Sequence, residues 1–580
     1  MREQIANEVD PVTFEVINSS FIFITRMMGD NLQRVSFSPI IYDSVDFSNA
    51  LFSPEVELIG QWTNVPVHLA SMHYSVFESV KRYGRDNIKK GDIIVLNDPY
   101  KGGTHIPDIT FTMPIFYGDK LVAFAASRGH WADLGGGAPS GRVPNAVHIV
   151  QEGLRIPPTK IYKEGEIVEE VRDIIVNNTR TPKEVIGNLQ AHKAALLIAE
   201  EYMLNLVKKY GLDVVFKCMD ISLDYTEQKV RQEIRKIPNG KYKGSYEIDT
   251  NGVTDKSVKV EVEIEVKDDE LFFDFTGTDP ITSGNVNYPY GGTNGCVYWA
   301  SKFLLAPEAN PNGGMYRPFK IYLPKGIFIN AEWPACTYSG NLATAEAIAD
   351  AIWMAFSKAI PERVPGMPYG DSNGLTIAGV SYGDGEKSFV AIDLPPGGWG
   401  GTPKNDGMSA TYSRHGNCMN LQIEIAEALY PFRFLMRELI DDSGGAGKYR
   451  GGLALREGFE FLQDVEVGHG TSRTKYGPFG MNGGSNGMPG FSIKNFGKEN
   501  EEVIGGWDKN KKWKICSFAT KFKKGDNLVF NLQGGGGWGS PKERNLEKLK
   551  EDLEEGYITK KAVKENYGIE LELGGNYGKY

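Results

Sequence analysis

The sequence predicts an α+β fold with mixed and antiparallel sheets, several helices, Gly-rich loops and a strand-rich C-terminal half. Apolar residues recur at helical spacing in 12–34 and 183–210, which indicates amphipathic helices. Apolar and polar residues alternate in 242–249, 256–266 and 270–277, as they do in half-exposed antiparallel strands. The 68 glycines among 580 residues indicate tight turns and close backbone approaches rather than a helical bundle.

Helices and strands alternate along the N-terminal part of the sequence. Periods near 3.6 predict helices at 12–34, 67–83, 183–210 and about 220–236. Short apolar runs predict strands at Asp92–Leu96, Ile109–Met113 and Leu121–Ala126. The clearest helix follows Pro182 and ends at Gly211, because Pro suits a first helical turn and Gly the position after the last one.

Three domains are predicted. The turn-forming stretch KIPNGKY at 236–242 marks the first boundary and gives an N-terminal domain over 1–238, which contains most of the histidines. A central α+β domain is expected over 239–430, with a helix at about 340–360. A Gly-rich strand domain over 431–580 ends in a helical tail at 541–567. Glycine runs recur at 397–401, 444–452 and 534–537.

Charge, cysteines and hydropathy exclude several classes of protein. The net charge of −10 and the pI of about 5.5 argue against nucleic-acid binding, which needs a basic surface. The five cysteines are scattered without a C-x-x-C pair, so we expect free thiols in a reducing cytoplasm rather than disulfides or structural zinc. The first 16 residues lack the pattern of a secretory leader, and no apolar stretch is long enough to span a membrane.

Histidines cluster in the N-terminal domain, where five of the eight lie between positions 68 and 148. His105 begins H-I-P-D with Asp108, and His130 begins H-W-A-D with Asp133, each in a Gly-rich loop beside a predicted strand. Imidazole and carboxylate groups together suit Zn²⁺, Mn²⁺ or Fe²⁺, and a bound ion could activate water for hydrolysis. Alternatively, the histidines make loop hydrogen bonds and the aspartates cap turns. The spacing alone leaves both interpretations open.

Other candidate residues carry weaker signals. Asp98 in N-D-P is expected to form a turn, and His192 lies among Ala and Leu in a predicted helix, which favours packing. His68 begins the helix at 67–83 and would either cap it or point into a site, whereas His73 lies off its face. No G-x-S-x-G elbow is present. The segment GGAGKYRGG departs from a phosphate-binding loop, and GGGGWG lacks the context of a dinucleotide site, so no ATP site is predicted.

Long motifs resemble a known family. They include DFSNALFSPEVELIGQ (46–61), VPVHLASM (65–72), LNDPYKGGTHIPDITFTMPIF (96–116), ASRGHWADLGGGAPSG (126–141) and QEGLRIPP (151–158), followed by DFTGTDP, DSGGAGKYRGGL and GGGGWGSP in the same order. Together they resemble the hydantoinase B/N-methylhydantoinase B/oxoprolinase family. Its members include half of 5-oxoprolinase, the small subunit of caprolactamase and the α subunit of acetone carboxylase. The likeness extends over nearly the whole chain.

The resemblance implies a division of labour between two subunits. A hydantoinase A-type ATP-binding partner would phosphorylate the carbonyl oxygen of a lactam, hydantoin or 5-oxoproline, within a hetero-oligomer. This chain would hold one divalent metal (Zn, Mn or Fe), and metal-bound water would open the ring. The family pattern places the metal ligands at Asp46, His105, Asp108 and His130. It further implies that Asp133 orients a ligand histidine and that His68 moves protons.

Two departures from the family pattern concern the substrate. Ser44 stands where members often have Arg, and His148 stands where they often have Glu. One alternative function is the α-type subunit of an ATP-dependent ketone carboxylase of the acetone or acetophenone type, which would need bicarbonate. Another, from a different class, is a non-catalytic scaffold for the ATPase partner, which would not need four intact metal ligands.

Overall fold

Four β-sheets with packed helices form the fold in the computed structural model, which describes residues 9–62, 65–372, 374–381 and 387–571. Residues 1–8, on which the leader prediction partly rests, lie outside the described residues. The helices are α1 (Pro11–Val35), α2 (Pro39–Tyr42), α3 (Pro66–Tyr83), α4 (Glu169–Val176), α5 (Pro182–Tyr210), α6 (Leu212–Ile234), α7 (Tyr290–Leu305), α8 (Ala345–Phe356), α9 (Ile423–Leu429), α10 (Leu546–Glu554) and α11 (Lys560–Ala562). The predicted α+β class is confirmed.

The first sheet is antiparallel throughout and comes from the N-terminal part of the chain. Its strands are β1 (Phe47–Phe52), β2 (Leu58–Gln61), β3 (Ile93–Leu96), β4 (Asp108–Tyr117), β5 (Lys120–His130), β6 (Thr159–Lys163) and β7 (Glu166–Ile167). Their order is β2-β1-β5-β4-β3-β6-β7. Alternate residues of β5 face opposite sides, so Ala123 and Ala125 pack with α1 and α5 while Phe124 and Ala126 pack under α3.

The second sheet is mixed. It consists of β8 (Gly240–Ile248), β9 (Val258–Lys267), β10 (Glu270–Asp274) and β11 (Phe319–Tyr322). Strand β11 pairs with β10 in parallel, while β8, β9 and β10 form an antiparallel meander. Helices α7 and α8 pack against this sheet in one apolar core. A π-helical turn, Gly340–Thr344, precedes α8, so the predicted helix at 340–360 begins in a wider turn and ends earlier.

The third and fourth sheets account for the predicted strand-rich C-terminal half. Their strands are β12 (Gly374–Ser381), β13 (Lys387–Asp393), β14 (Phe432–Leu439), β15 (Leu455–Phe461), β16 (Val465–Gly470), β17 (Phe491–Lys494), β18 (Glu502–Trp507), β19 (Trp513–Lys514), β20 (Ser517–Phe522) and β21 (Asn527–Asn531). The two orders are β13-β12-β16-β20 and β14-β15-β21-β17-β18-β19. The third sheet therefore joins strands from both sides of position 430, and the division into three domains stays a prediction.

Most predicted elements are present with shifted ends. The helix predicted at about 220–236 begins at Leu212, directly after the positive-φ Gly211, because that residue ends α5 and turns the chain. The tail predicted to be helical over 541–567 is divided into short helical segments, because Gly556 adopts a positive φ of 74° after α10. All five cysteines lie in the described residues and are free. None of the described helices has the length and hydropathy needed to cross a bilayer.

The glycine runs pack against one another in what we call the glycine layer, formed by 397–401, 444–452 and 534–537. These segments lie mostly outside the helices and strands, although the sequence predicts a strand-like region. Their backbones hydrogen-bond directly: Gly452 N donates to Trp399 O at 2.7 Å, and Gly535 N donates to Gly452 O at 2.9 Å. A Cβ added to Gly535 would lie 1.9 Å from Trp399 O. The predicted close backbone approach is therefore confirmed here.

Candidate active site

The pairing of β4 with β5 brings the two H-x-x-D motifs together. Asp108 opens β4 and is the cross-strand partner of His130, which ends β5. Asp46 immediately precedes β1, which pairs with the other edge of β5, and its carbonyl accepts a hydrogen bond from His130 N at 3.0 Å. His105 lies in the turn before β4, and His68 lies in the first turn of α3. The structure thus gathers these five predicted residues at one end of the first sheet.

Their side chains line a cavity of about 30 Å³, which has room for roughly two water molecules. His68 Nε2 lies 3.1 Å from Asp108 Oδ1 and 3.8 Å from Asp46 Oδ1. His105 Nδ1 lies 3.0 Å from Asp108 Oδ2, which also accepts a hydrogen bond from Thr104 Oγ1 at 2.5 Å. The rings of His105 and His130 have their centroids 5.2 Å apart. Asp108 is therefore the centre of the cluster.

Burial and mutual charge set the protonation of this cluster. Burial, together with the nearby charge of Asp108, raises the pKa of Asp46 to about 7. Burial lowers the pKa of His130 to about 3, so its imidazole is neutral at pH 7. Burial opposes ionisation of Asp108, but attraction to His105 and His68 outweighs it and holds the pKa of Asp108 well below its usual range. A neutral imidazole beside an ionised carboxylate is the protonation state in which these groups bind metals.

The donor set fits a divalent metal, although its side chains are not grouped around a single point. In the described part of the chain, no three His, Cys, Asp or Glu side chains are arranged to hold an ion as they stand. Yet His105 Nε2 and His130 Nδ1 are buried without a hydrogen-bond partner. Buried polar atoms normally find partners, so unpaired donors around one small cavity indicate a role in binding. Nitrogen and oxygen donors of this kind suit Zn²⁺, Mn²⁺ or Fe²⁺.

The opposite wall of the cavity comes from the central part of the chain. It includes Tyr338, Asn341, Ser372, Tyr412, His415 and Cys418. The sequence did not predict that these residues belong to the site. His415 Nδ1 lies 2.6 Å from Glu346 Oε1, and Arg414 Nε donates to the other oxygen of that carboxylate at 2.6 Å. His415 Nε2 is buried and has no hydrogen-bond partner. A carboxylate thus fixes the orientation of an imidazole on the cavity wall.

Tyr338 is held in this wall by a buried carboxylate. Glu152, the glutamate of the Q-E-G motif, accepts hydrogen bonds from the amides of Thr337 and Tyr338, each at 3.0 Å. Burial raises the pKa of Glu152 to about 8, while these amides act in the opposite direction. The Tyr338 ring lies edge-on to His105, with centroids 5.4 Å apart. Only the long-range fold brings 152 and 338 together, so no local signal in the sequence marks this pair.

Asp133 lies outside the cavity lining and organises the adjacent loop. Its carboxylate accepts hydrogen bonds from the amides of Gly135 and Ser140 at 3.0 Å each and from Arg180 N at 2.7 Å. It also pairs with the Arg180 guanidinium at 2.8 Å. None of these contacts of Asp133 is to a histidine, and its role in orienting a ligand histidine stays a prediction. The contacts hold the loop at 133–142 in place.

The remaining candidates occupy structural positions. Asp98 caps the turn Pro99–Lys101 by accepting from Tyr100 N at 3.1 Å, as its N-D-P setting predicts. His192 is buried, stacks on Phe111 and lies 2.8 Å from Ser127 Oγ through Nδ1. His148 accepts from Val150 N at 3.3 Å, outside the cavity. Ser44 is buried, and its carbonyl accepts from the amide of Met419.

The family is decided by a match over most of the sequence. Residues 10–541 match the model of the family described as Hydantoinase B/oxoprolinase. The chain belongs to the hydantoinase B/oxoprolinase family. A putative D-/L-hydantoinase subunit from Pseudomonas sp. (strain NS671) is 31% identical over 586 residues, which cover 97% of this chain and 96% of that protein. The resemblance of the sequence motifs is therefore confirmed.

Two solved structures share the fold of this hydantoinase B-type chain. The crystal structure of ATP-dependent caprolactamase from Pseudomonas jessenii superposes with a TM-score of 0.90 at 28% identity and covers 98% of each chain. A nucleotide-free structure of acetone carboxylase superposes with a TM-score of 0.87 at 18% identity, covering 97% of this chain and 80% of that one. At 18% identity the second comparison shows the fold alone. The family includes ATP-dependent enzymes that act on cyclic amides.

Proposed function

We propose that this chain is the metal-containing subunit of an ATP-dependent cyclic amide hydrolase that acts on a lactam, hydantoin or 5-oxoproline-type ring. The cluster of Asp46, His68, His105, Asp108 and His130 around one cavity is the observation that carries the proposal. A hydantoinase A-type partner would use ATP to phosphorylate the substrate carbonyl oxygen. The family relationship to a hydantoinase component and to caprolactamase supports such a hetero-oligomer. The free thiols of this chain suit a reducing cytoplasm.

In this proposal the metal is held by Asp46, His105, Asp108 and His130. A bound divalent ion supplies Lewis acidity and lowers the pKa of water. His68 lines the cavity with its Nε2 3.1 Å from Asp108 Oδ1, and in this proposal it moves protons between that carboxylate and the site. When water adds to the activated carbon and the ring C–N bond breaks, the departing nitrogen needs a proton. His415 lines the other wall, and in this proposal its buried Nε2, which has no hydrogen-bond partner, gives that proton. A second water then releases inorganic phosphate from the acyl phosphate that remains.

His415→Gln is expected to lower kcat of the assembled enzyme about 10²- to 10³-fold while leaving metal content unchanged, because general acid–base groups typically contribute factors of this size. Steady-state kinetics and metal analysis on the same preparation measure both quantities. His192→Gln, which replaces another fully buried histidine outside the cavity, controls for the cost of altering the core. Equal kcat in His415→Gln and wild type would remove His415 from the chemistry. Loss of metal in His415→Gln would make it a ligand instead.

The proposed activity is tested by producing the chain together with a hydantoinase A-type partner and ATP. We expect ring opening of a lactam, hydantoin or 5-oxoproline with one ADP formed per ring opened, and no activity from either protein alone. The reaction is run with and without bicarbonate. ATP turnover that requires both a ketone and bicarbonate would instead identify a carboxylase, in line with the fold shared with acetone carboxylase. Full activity after removing Asp46 or His105 would support the scaffold alternative.

A further inference from the structure

Arg142 is a buried arginine that forms no ion pair with a carboxylate among the described residues. The residue is 6% exposed, its Nε is buried without a hydrogen-bond partner, and the contact its guanidinium makes is with the face of the Tyr338 ring. The other buried arginines in the described residues all form ion pairs or donate hydrogen bonds. Arg414, Arg450, Arg473 and Arg544 pair with carboxylates, and Arg128 donates to the hydroxyls of Thr110, Ser71 and Ser75. Arg142 is therefore the exception that needs an explanation.

The guanidinium of Arg142 belongs to the same cavity as the proposed metal ligands. Arg142, His105, Asp108 and His130 all line it. Arg142 and His105 both contact the Tyr338 ring, whose centroid lies 5.1 Å from the Arg142 guanidinium carbon and 5.4 Å from the His105 ring centroid. The cation and the cluster where the chemistry is proposed thus share one aromatic neighbour.

Neighbouring residues hold the Arg142 guanidinium in this position. The loop before Arg142 is fastened by Asp133, whose carboxylate accepts from the amide of Ser140. The guanidinium lies beside the paired glycines Gly374 and Gly470 of β12 and β16, where no side chain fills the space. A Cβ on Gly374 would lie 2.4 Å from an Arg142 terminal nitrogen. Asp371 is nearby: its carboxylate accepts from the Ser472 amide, and Arg142 attracts it from beyond ion-pair distance.

A buried unpaired charge is costly, and arginine cannot escape the cost by losing its proton. Such an arrangement is stable when an anion completes it during function. The planar fork of a guanidinium donates parallel hydrogen bonds that match the oxygens of a phosphoryl group. A phosphorylated cyclic amide, formed by the ATP-using partner, would carry such a group on the oxygen of the carbon that is attacked.

We propose that Arg142 binds the phosphoryl group of the activated substrate, beside Tyr338 in the wall of the same cavity. This inference rests on the proposed function. Arg142 would orient the activated carbon towards the His–Asp cluster and retain the phosphoryl group while the ring opens. The present cavity of about 30 Å³ is too small for a phosphorylated ring, so its walls must separate when the substrate enters. Inorganic phosphate, the smallest ligand of the same chemistry, is the probe for this site.

Phosphate binding to the purified chain is measured by isothermal titration calorimetry, with and without added Mn²⁺. We expect Arg142→Gln to weaken phosphate binding by about tenfold or more, because charge-assisted bidentate hydrogen bonds are lost. Gly374→Ala should weaken it as well, since the new methyl group displaces the guanidinium without removing its charge. Arg155→Gln is the matched control, because Arg155 also stacks on a tyrosine, Tyr100, but lies outside the cavity. Thermal unfolding confirms that each variant is folded.

The kinetics of the assembled enzyme separate this inference from the proposed function. Arg142→Gln should raise the inhibition constant for phosphate and lower the ring opened per ATP, while Arg155→Gln should match wild type. If ring opening is ATP-dependent but phosphate binds equally to wild type and Arg142→Gln, the phosphoryl assignment fails and the proposed function stands. If phosphate binding depends on Arg142 but no cyclic amide is opened, the anion site stands and the proposed function fails. Binding of acetate or bicarbonate in place of phosphate would overturn the phosphoryl assignment.

Discussion

Replacing His105 or His130 by alanine is expected to remove a divalent ion from the chain and to abolish ring opening by the assembled enzyme. Both imidazoles line the same cavity, and each has a ring nitrogen without a hydrogen-bond partner. Loss of one nitrogen donor leaves the coordination of Zn²⁺, Mn²⁺ or Fe²⁺ incomplete, so the ion dissociates. We expect about one ion per wild-type chain, less than about a tenth of that in either variant, and activity lower by on the order of 10³-fold or more.

Metal content measured by mass spectrometry on protein purified without chelators tests this expectation. His148→Ala is the matched control, because it removes a histidine from the same stretch of sequence but outside the cavity. It should keep both the ion and the activity. A wild-type chain that stays metal-free after incubation with Mn²⁺, Zn²⁺ or Fe²⁺ would contradict the prediction. In that case the partner protein would have to complete the site, or the chain would act as a scaffold.

The His–Asp half of the site could be predicted from the sequence because its residues lie near strand ends. His105 and Asp108 share one turn, and the pairing of adjacent strands β4 and β5 brings His130 to Asp108. Asp46 could not be found in this way. It reaches the cluster only because β1 pairs with β5, whose sequence lies far downstream, and the residues around Asp46 carry no metal-ligand spacing of their own. Only its family motif identified Asp46.

The opposite wall of the cavity could not be predicted from the sequence, and the reason is physical. Glu346 lies on α8, where the sequence predicts a helix but no site, and His415 lies in a loop without a motif. Their contact depends on how the loop that carries His415 packs against α8, which hydropathy patterns do not specify. The sequence did not indicate a role for Arg142 either, since one arginine in a loop is ordinarily solvated. Only the finding that its charge is buried and unpaired distinguishes it.

The glycine layer is the part of the fold where a single methyl group is expected to have the largest effect on stability. Gly535 hydrogen-bonds through its amide to Gly452 and through its carbonyl to the amide of Gly445. An added Cβ would lie 1.9 Å from Trp399 O and 2.3 Å from Trp399 C, both backbone atoms that cannot rotate away. We expect Gly535→Ala to cost about 3 kcal/mol or more, the upper end for overpacking, and to leave much of the protein insoluble.

Gly326→Ala separates this steric effect from the conformational freedom of glycine. Gly326 has a positive φ of 80° and no atom within 4 Å of an added Cβ, so its replacement should cost only about 1 kcal/mol for a left-handed backbone. Soluble yield and the apparent unfolding temperature at one scan rate compare the two variants. Equal losses would mean that the glycine runs serve backbone flexibility alone. A much larger loss at Gly535 would mean that direct backbone-to-backbone packing fixes these positions as glycine, which explains why the runs cannot be replaced by ordinary strands.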